Sequence, residues 1–79
     1  MINLEQIQKR LAEVIRQSGM TQTAIAKSIN VSPSAVAHYI MGDKMPALDT
    51  LANLCNIIDV SPAYILFFED ESGSKTYNF

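Results

Sequence analysis

The chain is poor in the side chains that build metal centres, covalent staples or catalytic clusters. It holds one cysteine, Cys55, and one histidine, His38, among 79 residues. A lone thiol excludes an internal disulfide and fits a reducing compartment. One His and one Cys leave a tetrahedral zinc site two ligands short, and no His/Cys/Asp cluster has metal-ligand spacing. Long hydrophobic runs are missing too. The longest uncharged, mainly apolar stretch is Val60–Phe68, nine residues, against the roughly 20 a membrane-spanning helix needs. Glu5, Gln6 and Gln8 interrupt the N-terminal region before the apolar core of a signal peptide could build. Positive charge is scarce: six Lys and Arg face eight Asp and Glu, a net charge of −2, with a pI near 5.1. Taken alone, that balance argues against a general nucleic-acid binder, which normally carries a basic excess. The length allows one small domain. The expectation is a soluble, cytoplasmic module with no metal, no cofactor and no catalytic chemistry.

What the chain does have is helical patterning. At 48% apolar and 18% charged its composition is globular. The three prolines and three glycines act as punctuation. Asn3 can cap a first helix, with Gln6 reaching back as its capping-box partner. Leu4, Ile7, Leu11, Val14 and Ile15 then recur at helical spacing, and Gly19 supplies the stop. Thr21 caps a second helix over Gln22–Ile29 with Ile25, Ala26 and Ile29 turned inward, and Asn30 suits the left-handed position after it. Ser32-Pro33 is a cap followed by proline at the first helical position, where no N–H is needed; the helix it opens runs to Met41 and ends at Gly42. A loop over Asp43–Pro46 leads to a fourth helix, Leu48–Ile58, with Leu48, Leu51, Leu54, Cys55 and Ile58 on its buried stripe. Ser61-Pro62 repeats the cap-plus-proline device and opens a short fifth helix through Tyr64, Ile65 and Phe68. The only strand candidate is Thr76–Phe79. The reading is all-α: five helices over residues 1–68, then an acidic and aromatic tail over 69–79.

Two short helices a few residues apart, Gln22–Ile29 and Pro33–Met41, have the spacing of a helix-turn-helix. Ala26 provides the small residue that lets such a pair cross, and Val31 and Val36 can fill the angle. Spacing alone is a weak signal in an all-α chain. The full pattern is specific: Thr21-Gln22, Ala26, Val31-Ser32, Val36, Tyr39, Gly42, Pro46, Leu51 and Leu54 stand in register with the Cro/CI-repressor, XRE-like helix-turn-helix family, which this chain resembles from about Leu4 to Leu66. The continuation Ile58-Asp59-Val60-Ser61-Pro62, with Tyr64-Ile65-Leu66, resembles that family's entry into a fifth helix. The resemblance implies a compact five-helix, lambda-repressor-like domain. It also implies sequence-specific binding of double-stranded DNA through the major groove, with a homodimer on a near-palindromic operator.

Carried over residue by residue, the resemblance places Pro33, Ser34, Ala37 and His38 at base edges. Gln22 would clamp a phosphate together with the free N–H groups of its helix terminus, with Thr21, Thr23, Lys27 and Lys44 as further phosphate contacts. The recognition helix departs from the pattern. It has no Arg, Lys, Asn or Gln, the side chains that make bidentate base contacts, and Asp43 stands where relatives commonly carry a basic residue. Direct readout is then weak and leans on thymine methyls and DNA shape. Plainer roles stand beside these. Gln22 could be a solvated helix start and His38 a solvated helix residue. Cys55 reads as core, Glu5 and Glu13 as a solvated face, and Ser32 as a cap without a base to activate it.

Five of the six aromatics, Tyr64, Phe67, Phe68, Tyr77 and Phe79, lie in the last sixteen residues. A lid on the monomer's own core uses some of them. The remainder suggest an interaction surface, and Tyr64, Phe67 and Phe68 are the expected dimer interface. The functional expectation is a repressor-type transcriptional regulator of phage or prokaryotic kind. Two rivals are the antitoxin half of a toxin–antitoxin pair, holding a protein partner through the C-terminal segment, and an interaction module that kept the fold without DNA. The charge is uneven: residues 1–58 carry five basic and four acidic side chains, residues 59–79 one basic and four acidic. The acidity therefore belongs to the C-terminal part, and the binding face is expected to be barely positive.

Overall fold

Helix α1 spans Leu4–Gln17, and its start is fixed by side-chain chemistry. The Gln6 amide donates to Asn3 Oδ1 at 2.9 Å and the Asn3 amide donates to Gln6 Oε1 at 2.9 Å, the reciprocal capping box that satisfies two orphan donors. The structure, a computed structural model, describes residues 1–70. In them follow α2 (Gln22–Ile29), α3 (Pro33–Met41), α4 (Leu48–Ile58) and α5 (Pro62–Ile65). The all-helical reading holds, with the bounds of α2, α3 and α4 as expected. Thr21, Ser32 and Ser61 each accept a bond from an amide of the helix they open. The strand candidate at Thr76–Phe79 and most of the tail lie outside the described residues.

The C-terminal ends of α2, α3 and α4 share one device. Asn30, Gly42 and Asp59 all adopt the left-handed conformation, with φ of 57°, 78° and 57°. The residue after each turns back to the helix. Val31 N–H donates to the Ala26 carbonyl at 3.0 Å, Asp43 to His38 at 3.3 Å and Val60 to Cys55 at 3.0 Å. These are the six-to-one bonds of the Schellman closure. It recurs after α5, where Phe67 is left-handed at φ 68° and Phe68 N–H donates to the Ala63 carbonyl at 2.7 Å. That closure corrects the expected end of α5, which stops at Ile65 instead of running through Phe68.

Leu11, Ile15, Ile25, Val36, Leu54 and Ile65 are the largest side chains with essentially no exposure, and no charged or polar residue is buried among the described ones. Each comes from a helical stripe, so α3 packs on α1 and α2, α4 on α2, and α5 on α1 and α4. Ala26 is buried where α2 carries no bulk, Val36 is buried, and Val31 packs half-buried against the same core. Two expected core positions are on the surface. Leu4 is 58% exposed and Leu48 84%. Each is the first residue of its helix, and first-turn side chains lean back past the helix start, off the end of the stripe that periodicity assigns them to. Pro46 is buried before α4 instead.

Candidate nucleic-acid interface

The turn between α2 and α3 is three residues, Asn30–Ser32, and its geometry is dictated locally. Left-handed Asn30 reverses the chain, Val31 closes onto Ala26, and the Ser32 hydroxyl accepts from the Ala35 amide at 3.1 Å. Pro33, with φ already fixed, starts α3 without wasting a donor. One long-range bond then ties the two helix starts together: Gln22 Nε2 donates to the Pro33 carbonyl at 2.8 Å.

This bond places the N-termini of α2 and α3 side by side on one surface. Thr21, Gln22, Thr23, Ser32, Pro33 and Ser34 are all exposed there. The amides of Gln22 and Thr23 have no intrahelical acceptor by their position in the first turn, while Thr21 Oγ1 already accepts from Ala24 at 3.1 Å. Thr23 and Lys27 share a face of α2, four residues apart, and both are exposed. Along α3, Ser34, Ala37 and His38 lie on one face by the same spacing, with Pro33 opening it; Ala37 and His38 are half-buried. Lys44 stands exposed on the following loop. Eight of the nine sequence-nominated residues thus occur on α2, α3 or the loop after α3, and the ninth, Thr21, caps α2.

Two features of this surface stand outside the nine residues named from the sequence. Met41 continues the Ser34–His38 face by one further turn and is 62% exposed; helical periodicity alone could have found it. Asp43 is not a free acid on the loop. Its two carboxylate oxygens lie 3.0 and 3.2 Å from His38 Nδ1. No periodicity reveals that pair, because it depends on the turn at Gly42.

The remaining cations of residues 1–58 are largely spent elsewhere. Arg16 Nη2 donates to the Ile40 carbonyl at 2.8 Å behind α3, and Arg10 is committed to the C-terminal turn. Lys9 is exposed on α1, and Lys27 and Lys44 are the cations borne by α2 and by the loop after α3. Tyr39 and Cys55 are core residues, and burial pushes the phenol and the thiol above their ordinary pKa ranges. Among the described residues no group of three His, Cys, Asp or Glu could hold a metal ion. No helix among them is long and apolar enough to cross a membrane.

Tyr64, Phe67 and Phe68 are half-buried in and just after α5. The Arg10 guanidinium carbon lies 4.3 Å from the Tyr64 ring centre and 3.5 Å from that of Phe67, so two of these rings are partly covered within the monomer.

Comparison with known proteins agrees with this geometry. A helix-turn-helix family model matches residues 8–65. In Bacillus subtilis (strain 168), the chain is 32% identical over 69 residues to the uncharacterized HTH-type transcriptional regulator YqaE, covering 87% of this chain and 58% of that protein. It is 34% identical over 67 residues to the HTH-type transcriptional regulator ImmR, covering 85% of this chain and 52% of that protein. The chain thus spans a little over half the length of these curated relatives. No solved structure matches. With the family model covering most of the chain and the paired helices Gln22–Ile29 and Pro33–Met41 at its centre, the chain belongs to the helix-turn-helix family of the Cro/CI-repressor type.

Proposed function

We propose that this chain is the DNA-binding domain of a transcriptional regulator, of repressor type, that lays α3 in the major groove. The observation that carries this reading is the Gln22–Pro33 bond. It locks the starts of α2 and α3 onto one exposed surface, so free amides and short polar side chains can meet phosphates while the α3 face meets base edges. Pro33, Ser34, Ala37 and His38 take the base edges. Thr21, Gln22, Thr23, Lys27 and Lys44 take the phosphates. The naming of two relatives as transcriptional regulators supports the same role, exercised in the cytoplasm.

With two cations beside the surface, phosphate neutralisation is limited. Affinity per subunit is modest, and a homodimer on paired half-sites supplies the rest. The dimer contact is assigned to Tyr64, Phe67 and Phe68, with residues 69–79 as a separate tail. Double-stranded DNA and a second copy are the partners. An antitoxin role, with a protein partner on the C-terminal segment, is the rival on that surface. The test is a gel shift against fragments of the source genome across a salt series. The expected log–log slope is about −2 to −5, since each neutralised phosphate contributes roughly −0.9. Undiminished affinity after Gln22→Ala with His38→Ala, or no shift with any fragment at low salt, overturns the reading. Light scattering at micromolar concentration tests the dimer, and a monomer that remains monomeric on DNA removes it.

A further inference from the structure

We propose that Asp43 is a positioning residue that decides which bases His38 reads. By holding the Nδ1 side of the ring, it presents Nε2 to the groove as a hydrogen-bond acceptor. The inference rests on the DNA-binding reading above and deepens it at one position.

The chain of causes begins in the backbone. Gly42 adopts φ 78°, a conformation that favours glycine. Its N–H donates to the Tyr39 carbonyl at 3.2 Å, and the Asp43 N–H returns to the His38 carbonyl at 3.3 Å. That closure folds residue 43 back onto the turn that bears residue 38. The side chains then meet, Nδ1 lying 3.0 and 3.2 Å from the two carboxylate oxygens.

The chemistry follows from what each group can offer. An ionised carboxylate only accepts hydrogen bonds, so the shared proton sits on Nδ1. A neutral imidazole carries one proton, which leaves Nε2 with its lone pair. The neighbours do not compete for Nδ1. Lys44 shares a shallow surface depression with Ser32, Ser34, Ala35, His38, Tyr39 and Met45, and an ammonium cannot accept a hydrogen bond. Arg16 is held by the Ile40 carbonyl.

In the major groove the donors are the exocyclic amines of adenine and cytosine. Guanine offers N7 and O6, both acceptors, and thymine offers O4 and a methyl. An acceptor at Nε2 therefore selects adenine or cytosine at one position of each half-site and is repelled by guanine. A carboxylate at the edge of a DNA-binding face weakens attraction to phosphates. Its contribution here is to discrimination, not to affinity.

The test has two arms. In the first, the histidine ring nitrogens of the free protein are assigned by nitrogen-15 NMR at about pH 8, above the ordinary imidazole range. The wild type is expected to show His38 protonated at Nδ1. Asp43→Ala shifts the population to the Nε2 tautomer, and Asp43→Asn, which keeps an acceptor oxygen, restores Nδ1 protonation. In the second arm, sites are selected from a random double-stranded DNA library. Wild type enriches adenine or cytosine at one position by about fivefold, the order of one hydrogen bond. Asp43→Ala and His38→Ala each erase that preference, and the double variant erases no more than either alone. Protonation at Nε2 in the wild type overturns the proposal. So does a base preference that survives Asp43→Ala, the variant differing from wild type only by an affinity change uniform across sequences. Failure to bind any DNA while Nδ1 stays protonated removes the DNA reading and the base choice with it, leaving the Asp43–His38 pair as a measured fact of the free fold.

Discussion

Arg10 on α1 reaches over the C-terminal turn, its guanidinium carbon 3.5 Å from the centre of the Phe67 ring. The same group is 4.3 Å from the Tyr64 ring centre, and Nη1 donates to the Tyr64 carbonyl at 2.8 Å. A planar cation between two aromatic faces combines quadrupole attraction with a charge-assisted bond to the chain. Fifty-four positions separate the partners, so this contact fastens α5 to the first helix. The expected cost of Arg10→Ala is about 2 kcal/mol. At this chain length that lowers Tm by about 10 °C. Arg10→Lys recovers only part of the loss, because an ammonium lacks the stacking plane. Urea unfolding checks both, with the midpoint falling and the slope unchanged. Equal midpoints for wild type and Arg10→Ala refute the fastening role.

Two leucines of α4 separate what burial contributes from what periodicity suggests. Leu54 has no exposure and Leu48 is 84% exposed, although both belong to one apolar stripe in the sequence. Leu54→Ala is expected to cost about 2–5 kcal/mol through lost transfer energy and a residual cavity. That is a large share of the roughly 4–12 kcal/mol available to a chain this size. Leu48→Ala is expected to stay within about 0.5 kcal/mol. Thermal unfolding of the two variants measures the contrast. A substantial loss for Leu48→Ala alone requires that its side chain be covered in solution, and a second copy of the chain is then the first occupant to test.

Those leucines also mark where sequence reasoning stops. The Asn3–Gln6 box, the Thr21 cap and the Ser32-Pro33 and Ser61-Pro62 starts were legible because each is settled within four residues by hydrogen-bond chemistry. The Gln22–Ile29 and Pro33–Met41 pair was legible for the same reason, Asn30 and Gly42 supplying its left-handed stops. Leu4 and Leu48 were misassigned because a hydrophobic period says which way a residue faces and not where the helix runs off the core. Phe67 carries no glycine-like signal and Asp59 only the weak one of an Asp side chain, yet both are left-handed, held there by closures onto Cys55 and Ala63. The Asp43–His38 and Arg10–Phe67 contacts needed the folded chain, one through a turn and the other through the docking of two ends.

Under the proposed function Gln22 joins stability and recognition in one side chain, and the two should separate on mutation. In the free protein Gln22→Ala loses an exposed bond to Pro33, for which water substitutes, at a cost of about 0.5 kcal/mol or less. On DNA the same change removes an amide from the phosphate side and loosens the angle between α2 and α3. Affinity for a cognate site is expected to fall about tenfold, with little change in base preference, since phosphate contacts position and do not specify. Fluorescence anisotropy against a selected site and its scrambled version measures both. A loss confined to the selected site assigns Gln22 to base reading instead.

Cys55 is 2% exposed, and burial raises its thiol pKa above the ordinary range. The folded chain therefore holds the thiol proton more tightly than the unfolded chain does. The stabilisation is full below about pH 8.5, the ordinary thiol value, and is lost as pH climbs through the higher folded value. Tyr39 acts in the same direction at still higher pH. Stability is thus expected to decline on the alkaline side, and Cys55→Ala should flatten the first part of that decline while lowering stability overall. At neutral pH a thiol reagent is expected to label Cys55 only as fast as the fold opens. Labelling at the rate of a free thiol in native buffer would place Cys55 outside the core.

The left-handed stops make a final pair of opposite predictions. A Cβ on Gly42 would meet only the Gln8 carbonyl oxygen, at 3.9 Å, an ordinary contact. The cost of Gly42→Ala is then purely conformational, about 1 kcal/mol for an L residue held at positive φ. Asp59 is the converse. It sits exposed at φ 57° with a side chain in place of glycine, so Asp59→Gly relieves roughly 1–2 kcal/mol of backbone strain. Glycine gives back about 0.5–1 kcal/mol through the freedom it adds to the unfolded chain. The expected net effect is a gain of less than about 1 kcal/mol, against a loss of similar size at Gly42. Combined in one chain the two changes should nearly cancel, because the sites terminate different helices, α3 and α4. Chemical denaturation of the single and double variants measures this, and a double variant much weaker than Gly42→Ala alone means that the Asp59 carboxylate does more than occupy a turn.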